Sequence, residues 1–585
     1  MTSTAQKTFG AVMVAVLLGA VAAAAAGPIF EGDTFTHLAL GRYMLEHHRF
    51  PHPDPFAFTT AGKSDVFHEW GSEVLFALVQ RVGGLGALRA LRALLAAAIV
   101  GLVLAVAYRR TRHFALAFTA AAGYWVFLAP NTTARPHLLG LVCALLALLA
   151  LPADAEPLPR RRRVALAALL VVWANLHSSV LLAPALLGCH LAGRALEMVW
   201  RGERDLPELR RWAGRVACAA AASLLQPAGP RLWLYAALTP TTNRELSDEW
   251  MPLFHPAFAG DPARPAWVVL ALLVAGALAL RWNDRREAPQ GTGTRAGDQD
   301  ARADGEKDRR EHRHDDRHED GHDDRAFPGA AVAIACLVLA ATSRRMTAFL
   351  FLPALYAATV YAGRLRARPL TAALLRGWVL AVAVTVVATA LPRARAAATS
   401  AALAPGAFPE GAAAFLARAR LEGRMFNPEA WGSYLTFQLY PPVQVFADGR
   451  WPLIGPQVLA DSIAVMSRRG DVDAILDRYG IDYLVEATSF HLRVPGLDPH
   501  RHALAYQDPT AVVLLRRTDR FAANRDRLCA LLADDPGYYR AGHWPGVLTH
   551  VPAGQSPTDV PSALAACPAR APAISPARPP GSPGR

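Results

Sequence analysis

Long apolar runs with short polar connections fill the first two thirds of the chain, and the last third changes to short, mixed segments. A run that crosses about 30 Å of hydrocarbon needs about 20 residues and must satisfy its own backbone, so each run is predicted to be a helix. About eleven spans follow, near 8–29, 87–108, 113–129, 136–153, 163–176, 178–195, 212–226, 265–281, 326–343, 346–363 and 373–391. Between the first two spans, residues 30–86 form a polar, partly amphipathic outer loop. Residues 282–325 carry dense alternating charge and no apolar face, the pattern of a disordered linker. Beyond 391, "GSYLTFQLY", "VQVFADGR", "DYLVEAT" and "AVVLLRR" read as strands and "DVDAILDRYG" as a helix. The predicted fold is mostly α: a polytopic transmembrane helix bundle over 1–391, a small extracytoplasmic α/β domain over 392–567, and a Pro-rich tail over 568–585.

Charge orients this bundle. The formal charge of +13 is carried mainly by arginines beside apolar spans, so orientation in the membrane explains it better than nucleic acid does, and the expected partner is the membrane with no nucleic acid. Connections at Arg109–Arg112, Arg160–Arg163, Arg194–Arg215 and Arg364–Arg368 are basic, whereas 30–86 has four Arg or Lys against seven Asp or Glu. The positive-inside rule puts the N-terminus in the cytoplasm, and 30–86 and everything after 391 outside. "AVAAAAAG" at the end of the first span also suits a signal-peptide cleavage site, and either reading leaves residue 30 outside. Cys143, Cys189, Cys218 and Cys336 lie in apolar spans, while Cys529 and Cys567 could pair if their region is extracytoplasmic.

This topology collects polar residues at the outer ends of the spans: Asp33, His37, His68, Glu69, Arg135, His137, Asn175, His177, Glu249, Arg344 and Arg345. Ionisable groups at membrane depth are costly and commonly line a cavity or pathway. Each also has a plainer reading. Asp33 suits the N-cap of "TFTHLALGRYMLEHH", and "HEW" at His68–Trp70 suits a helix start as well as a sugar contact. Arg135, Arg344 and Arg345 suit interfacial anchors, or clamps on phosphate, which the guanidinium fork fits. Asn175 and His177 suit a short turn or a substrate contact. Asp448-Gly449 reads as a turn, and Trp431 and Tyr434 as core aromatics or a stacking surface. "HRHDDRHEDGHDD" lacks regular ligand spacing and reads as a solvated charge run. No P-loop, GxSxG, HExxH or zinc-ligand spacing is present.

The segments "EGDTFTHLALGRYMLEHHRFPHPDPFAFTTAGKSDVFHEWGSEVLF", "ARPHLLGL", "WANLHSS", "QPAGPRLWLY…SDEW" and "FNPEAWGSYL…VFADGR" together resemble the bacterial GT-C-type glycosyltransferases. These are polytopic enzymes of the inner (cytoplasmic) membrane that use polyprenyl-phosphate sugars, and many carry a soluble outer domain. The resemblance implies a polyprenyl-phosphate-linked sugar donor, an envelope acceptor and a catalytic acid in the first outer loop, where Asp33 stands. Many members pair two acids there, and this chain has Glu31-Gly32-Asp33. Under this reading Asp33 is the base, and Arg135 or Arg344–Arg345 stabilise the leaving phosphate. No ligand set for a metal is identified, although a divalent cation is compatible with the chemistry. The alternative is a non-catalytic scaffold for envelope assembly, or a transporter. A transporter normally places its polar residues near the midplane on broken helices.

Overall fold

The computed structural model describes residues 3–151, 157–243, 248–287, 326–367, 371–493, 497–498, 500–534 and 567. In chain order the helices are α1 Ser3–Ala25, α2 Asp33–His47, α3 Trp70–Thr111, α4 Phe114–Leu128, α5 His137–Ala150, α6 Arg160–Leu176, α7 Leu182–Arg201, α8 Leu206–Ser223, α9 Arg231–Asn243, α10 Ala263–Glu287, α11 Ala326–Thr342, α12 Phe351–Ala367 and α13 Ala372–Thr399. There follow α14 Glu410–Ala419, β1 Arg424–Phe426, α15 Glu429–Leu439, α16 Trp451–Ile454, α17 Pro456–Met466, α18 Val472–Arg478, β2 Ile481–Ala487, α19 Thr488–Arg493, β3 His502–Gln507, β4 Ala511–Arg516 and α20 Phe521–Asp534. Of the expected linker, 282–287 continue helix α10, and the remainder lies outside the described residues, as does the tail from 568.

Two compact units result. The first takes Met1–Gly27, Ala90–Thr132 and Pro136–Ala398, and the second Pro28–Arg89, Thr133–Arg135 and the chain from Thr399 onward. Every predicted span in the first unit coincides with a helix. Among the described residues, seven helices are long and apolar enough to cross a membrane, and His137–Ala150 and Pro328–Thr342 are shorter apolar helices. Helices α6 and α8 also cover predicted spans but are not among these seven. Helix α6 opens on four arginines, and α8 carries Glu208, Arg210, Arg211 and Arg215 among its alanines. The chain is a multi-pass membrane protein whose bundle core is built on small residues such as Ala96, Ala121, Ala277, Ala333 and Ala340. Small side chains let helices approach closely where no water drives them together. Large apolar side chains, including Leu94, Val172, Leu272 and Val384, remain on the outside.

Two boundaries move for local reasons. Helix α3 starts at Trp70, not near 87, and breaks at Gly83 and Gly84, where Gly84 has φ of 63°. That left-handed backbone is cheap only for glycine. The basic connection expected over 194–215 is mostly helical, because Arg194 and Glu208 neutralise each other across the α7–α8 pair at 3.1 Å.

The second unit holds a four-stranded sheet of order β1-β2-β4-β3, with β1 parallel to β2 and the other neighbours antiparallel. Strands β2 and β4 match "DYLVEAT" and "AVVLLRR", with Leu484 opposite Leu514. Strand β4 is buried along its whole length, so it reads as a continuous apolar run. "GSYLTFQLY" is not a strand but helix α15, which follows Pro428 and buries Trp431, Ser433, Tyr434, Leu435 and Leu439 around its circumference. Burial on all sides erases the helical period that would have marked it. "VQVFADGR" forms a single bridge, Ala57 to Val445, and is otherwise irregular. Cys529 and Cys567 form a disulfide.

Candidate functional site

Helix α2 carries the site's first carboxylate. Gly32 takes the N-cap position without a side-chain bond and Asp33 is the first helical residue, so the cap role expected for Asp33 is not its role. An acid in the first turn is favoured by the helix dipole. Its partner is Arg135, whose Nη2 lies 3.0 Å from Asp33 Oδ2. Arg135 Nε lies 3.1 Å from Glu31 Oε2, and Thr34 Oγ1 donates to Glu31 Oε1 at 3.1 Å. The guanidinium thus spans both acids of Glu31-Gly32-Asp33. Glu31 and Arg135 are 10% and 17% exposed at the side chain, whereas Asp33 is 41% exposed. Asp33 is therefore the member of the cluster that an incoming group can reach.

The C-terminal part of this unit closes around the same carboxylate. A Cβ placed on Gly449 would lie 2.7 Å from Asp33 Oδ1, and one on Gly32 would lie 3.0 Å from the Ala430 carbonyl oxygen. Thr36 Oγ1 and Ser433 Oγ share a hydrogen bond at 2.6 Å, which ties α2 to α15. Behind Gly449, Arg450 is buried between Asp448 and Asp54, with Nη2 to Asp448 Oδ2 at 2.6 Å and Nη1 to Asp54 Oδ1 at 2.7 Å. The Asp-Gly pair is thus more than a turn: Asp448 and Arg450 fix the backbone that abuts Asp33. Glu429 accepts from Trp451 Nε1 at 2.9 Å. Burial raises the Glu429 carboxyl above its ordinary range, the Trp451 bond opposes this, and Asp33 and Asp448 add to the rise.

One turn beyond Asp33 on α2, His37 faces the first turn of α3. Its Nδ1 lies 3.3 Å from Glu73 Oε1 and its Nε2 lies 3.9 Å from Glu69 Oε2, while His68 Nε2 lies 3.6 Å from Glu69 Oε1. Burial opposes a charge on His37, but the bond to Glu73 and the charges of Glu69, Glu73 and Asp33 outweigh it and hold the imidazole above its ordinary value. Gly41 permits this approach, since a Cβ there would sit 2.0 Å from the Glu73 carbonyl oxygen. Donor atoms of His37, Glu69 and Glu73 lie within 4.8 Å of one another, a set that could hold a divalent cation. The buried Glu73 Oε2 has no hydrogen-bond partner, which suits a ligand position. Imidazole with carboxylates matches zinc or manganese.

Six of the predicted residues, Glu31, Asp33, His37, His68, Glu69 and Arg135, thus belong to this second unit. The other six lie in the first unit, each with a local partner. His137 Nε2 bonds the Asn131 carbonyl oxygen at 2.8 Å, and Asn175 Nδ2 donates to the Val171 and Leu225 carbonyl oxygens at 2.9 Å. His177 Nδ1 accepts from the Ser179 backbone N–H at 3.0 Å. Arg344 Nε bonds Asp261 at 2.7 Å, and Arg345 lies 3.5 Å from Glu249. Trp431 and Tyr434 are core aromatics, with Tyr434 5.0 Å from both Phe35 and Phe408. Glu73, Glu429 and Arg450 were not selected from the sequence. Only their place inside the quoted segments "HEWGSEVLF" and "FNPEAWGSYL…VFADGR" marked them.

Fold and site together define a polytopic membrane protein with an accessible carboxylate held by a guanidinium within its sheet-bearing second unit. Among solved structures it is similar to the Archaeoglobus fulgidus oligosaccharyltransferase tethered with an acceptor peptide, with TM-score 0.49 and 11% identity over 81% of this chain and 69% of that one. It is also similar to ArnT from Cupriavidus metallidurans bound to undecaprenyl phosphate, with TM-score 0.48 and 16% identity over 88% of this chain and 98% of that one. Both are GT-C proteins, the group the sequence resembles. No family model and no curated protein matches the chain. Likeness at this level leaves the chemistry to be argued from the residues themselves.

Proposed function

We propose that this protein is an integral membrane glycosyltransferase that moves a sugar from a polyprenyl-phosphate donor to an envelope acceptor on the extracytoplasmic side of the bacterial inner membrane. The observation that carries the reading is the Asp33 carboxylate, exposed while its two companions Arg135 and Glu31 are largely buried. An accessible carboxylate oriented by a fixed cation is the arrangement a general base needs. The acceptor hydroxyl gives its proton to Asp33 as its oxygen attacks the anomeric carbon. The bond from that carbon to the phosphate oxygen breaks, and polyprenyl phosphate leaves with the electron pair. A single displacement inverts the sugar's configuration.

Arg135 has two parts in this scheme. It orients Asp33, and it supplies positive charge where the phosphate departs. Arg344 and Arg345, in the first unit, each lie beside a carboxylate of their own, Asp261 and Glu249. His37, Glu69 and Glu73 would hold a divalent cation, which would add positive charge next to the base. The outside location of the second unit is supported by the Cys529–Cys567 disulfide, a bond favoured in oxidising compartments. The test is transfer from radiolabelled polyprenyl-phosphate sugars by the purified full-length protein in lipid nanodiscs. Turnover with release of polyprenyl phosphate is expected with at least one donor. Inert behaviour with every donor would return the protein to the scaffold reading. Reporter fusions at residues 60 and 450 test the shared side, and a cytoplasmic signal from either would contradict it.

A further inference from the structure

Helix α3 has 42 residues, about 63 Å at 1.5 Å per residue, and a hydrocarbon core of about 30 Å takes only half of that. The predicted span takes the C-terminal half, 87–108. What remains is the N-terminal arm Trp70–Val82, about 20 Å of largely apolar helix, too short to cross. Non-helical backbone at Gly83 and Gly84 separates the two parts, so the arm departs from the direction of the span. A side chain suits neither glycine. Gly84 has φ of 63°, and a Cβ on Gly83 would meet the Ala87 Cβ at 2.7 Å. The bend is thus written into the sequence.

One face of the arm is buried in the protein and carries Ser72, Glu73, Phe76 and Ala77. At about 100° per residue, Gly71, Leu75, Leu78 and Val82 fall within about 40° of the direction opposite Glu73. None of the four is polar, and Leu78 is 43% and Val82 89% exposed. A helix that faces water turns its polar side chains outward and its apolar ones inward. Here the order is inverted: the Glu73 carboxylate points into the protein, and leucine and valine point out. Single exposed apolar residues are ordinary, but this stripe ends at Val82, five residues before a membrane span begins. Five residues reach at most about 18 Å, so the end of the stripe is held near the edge of the hydrocarbon. Exposed Arg81 flanks it, where a guanidinium can reach lipid phosphate while its stem lies on apolar surface.

We propose that the arm Trp70–Val82 lies in the interface of the outer leaflet, with Leu75, Leu78 and Val82 set among phospholipid acyl chains. The arm then separates lipid on one face from Glu73 on the other by one helix diameter, about 10–12 Å. The cluster of His37, Glu69 and Glu73 stands at headgroup height as a result. This goes beyond the transferase reading and shares with it only the outside placement of 30–86.

The test is electron paramagnetic resonance of the full-length protein in nanodiscs of phosphatidylethanolamine and phosphatidylglycerol. A nitroxide is attached at Leu78→Cys or Val82→Cys, with Cys143, Cys189, Cys218 and Cys336 replaced by alanine. Oxygen concentrates in lipid and a nickel chelate in water, so their relative effects on the label read its depth. Both labels are expected about 5–10 Å below the phosphates. Relaxation dominated by the nickel chelate at either position would put the stripe in water. Shielding of both labels from both reagents would put protein over it, a second copy included. Either result overturns the proposal. Should the alanine background fail to fold, p-benzoylphenylalanine in place of Val82 in the otherwise unaltered chain decides the matter. Irradiation in the same nanodiscs is expected to give a covalent phospholipid adduct by mass spectrometry, and a cross-linked dimer or no lipid adduct would overturn the proposal. Neither readout involves a sugar, so failure here is distinct from failure of the transferase reading.

Discussion

Replacing Arg450 with methionine is the sharpest test of how the second unit supports Asp33. The Arg450 guanidinium bonds Asp54 at 2.7 and 3.1 Å and Asp448 at 2.6 and 3.1 Å, and it stands 5.4 Å from the centre of the Phe56 ring. The side chains of Arg450, Asp54 and Asp448 are 8%, 1% and 3% exposed, so water cannot take the place of the lost partner. Methionine fills the volume but leaves two buried carboxylates facing each other. Breaking a buried ion pair from one side costs about 3–5 kcal/mol. For a unit of this size that corresponds to a fall of roughly 10 °C in melting temperature. The assay is thermal unfolding followed by tryptophan fluorescence in detergent, with Asp54→Asn and the double variant completing a cycle. The double variant should recover part of the loss, because one of the orphaned charges is gone. A melting temperature for Arg450→Met within a degree or two of wild type would refute the account of this network.

Gly41→Ala is expected to destabilise by about 1–3 kcal/mol, since its Cβ would meet the Glu73 carbonyl oxygen at 2.0 Å, whereas Gly19→Ala, with nothing within 4 Å, should be neutral or better in the same melting assay. Zinc or manganese titrated calorimetrically into chelator-treated protein should bind at His37, Glu69 and Glu73, and Glu73→Gln should weaken that binding at least about tenfold; equal affinity in the two proteins would remove the site. Glu429 carries a carboxyl raised first by burial, so the folded state holds its proton more tightly than the unfolded state, and stability falls as pH rises from the ordinary carboxyl range through the raised value. Glu429→Gln should therefore melt above wild type at pH 7 and level with it below about pH 4, as a pH series of melting curves would show.

The bundle was legible because a membrane span must be apolar along its whole length, and helices α1, α4, α5 and α13 fell where hydropathy placed them. Hydropathy is blind to charges that cancel, and it missed that α7 runs on to Arg201 past Arg194 and Glu197. Helix α15 was read as a strand because "GSYLTFQLY" is buried on every side and shows no helical stripe. The site was legible by residue type more than by geometry. Asp33 and Arg135 were both selected, but nothing local in the sequence tells that one guanidinium joins Asp33 to Glu31 across about a hundred residues. Arg450 shows the same limit, since its partner Asp54 is 396 positions away. Contacts of that separation are made by the fold and leave no spacing to read.

Asp33 as the base of sugar transfer is the central claim, and one comparison tests it most directly. Asp33→Asn keeps the size and the hydrogen-bonding reach of the side chain but removes its capacity to take a proton. With the donor that wild type turns over, in nanodiscs at neutral pH, the variant is predicted to lose about 10²–10⁴-fold in turnover while its melting temperature stays near that of wild type. Equal turnover by the two proteins would contradict the claim.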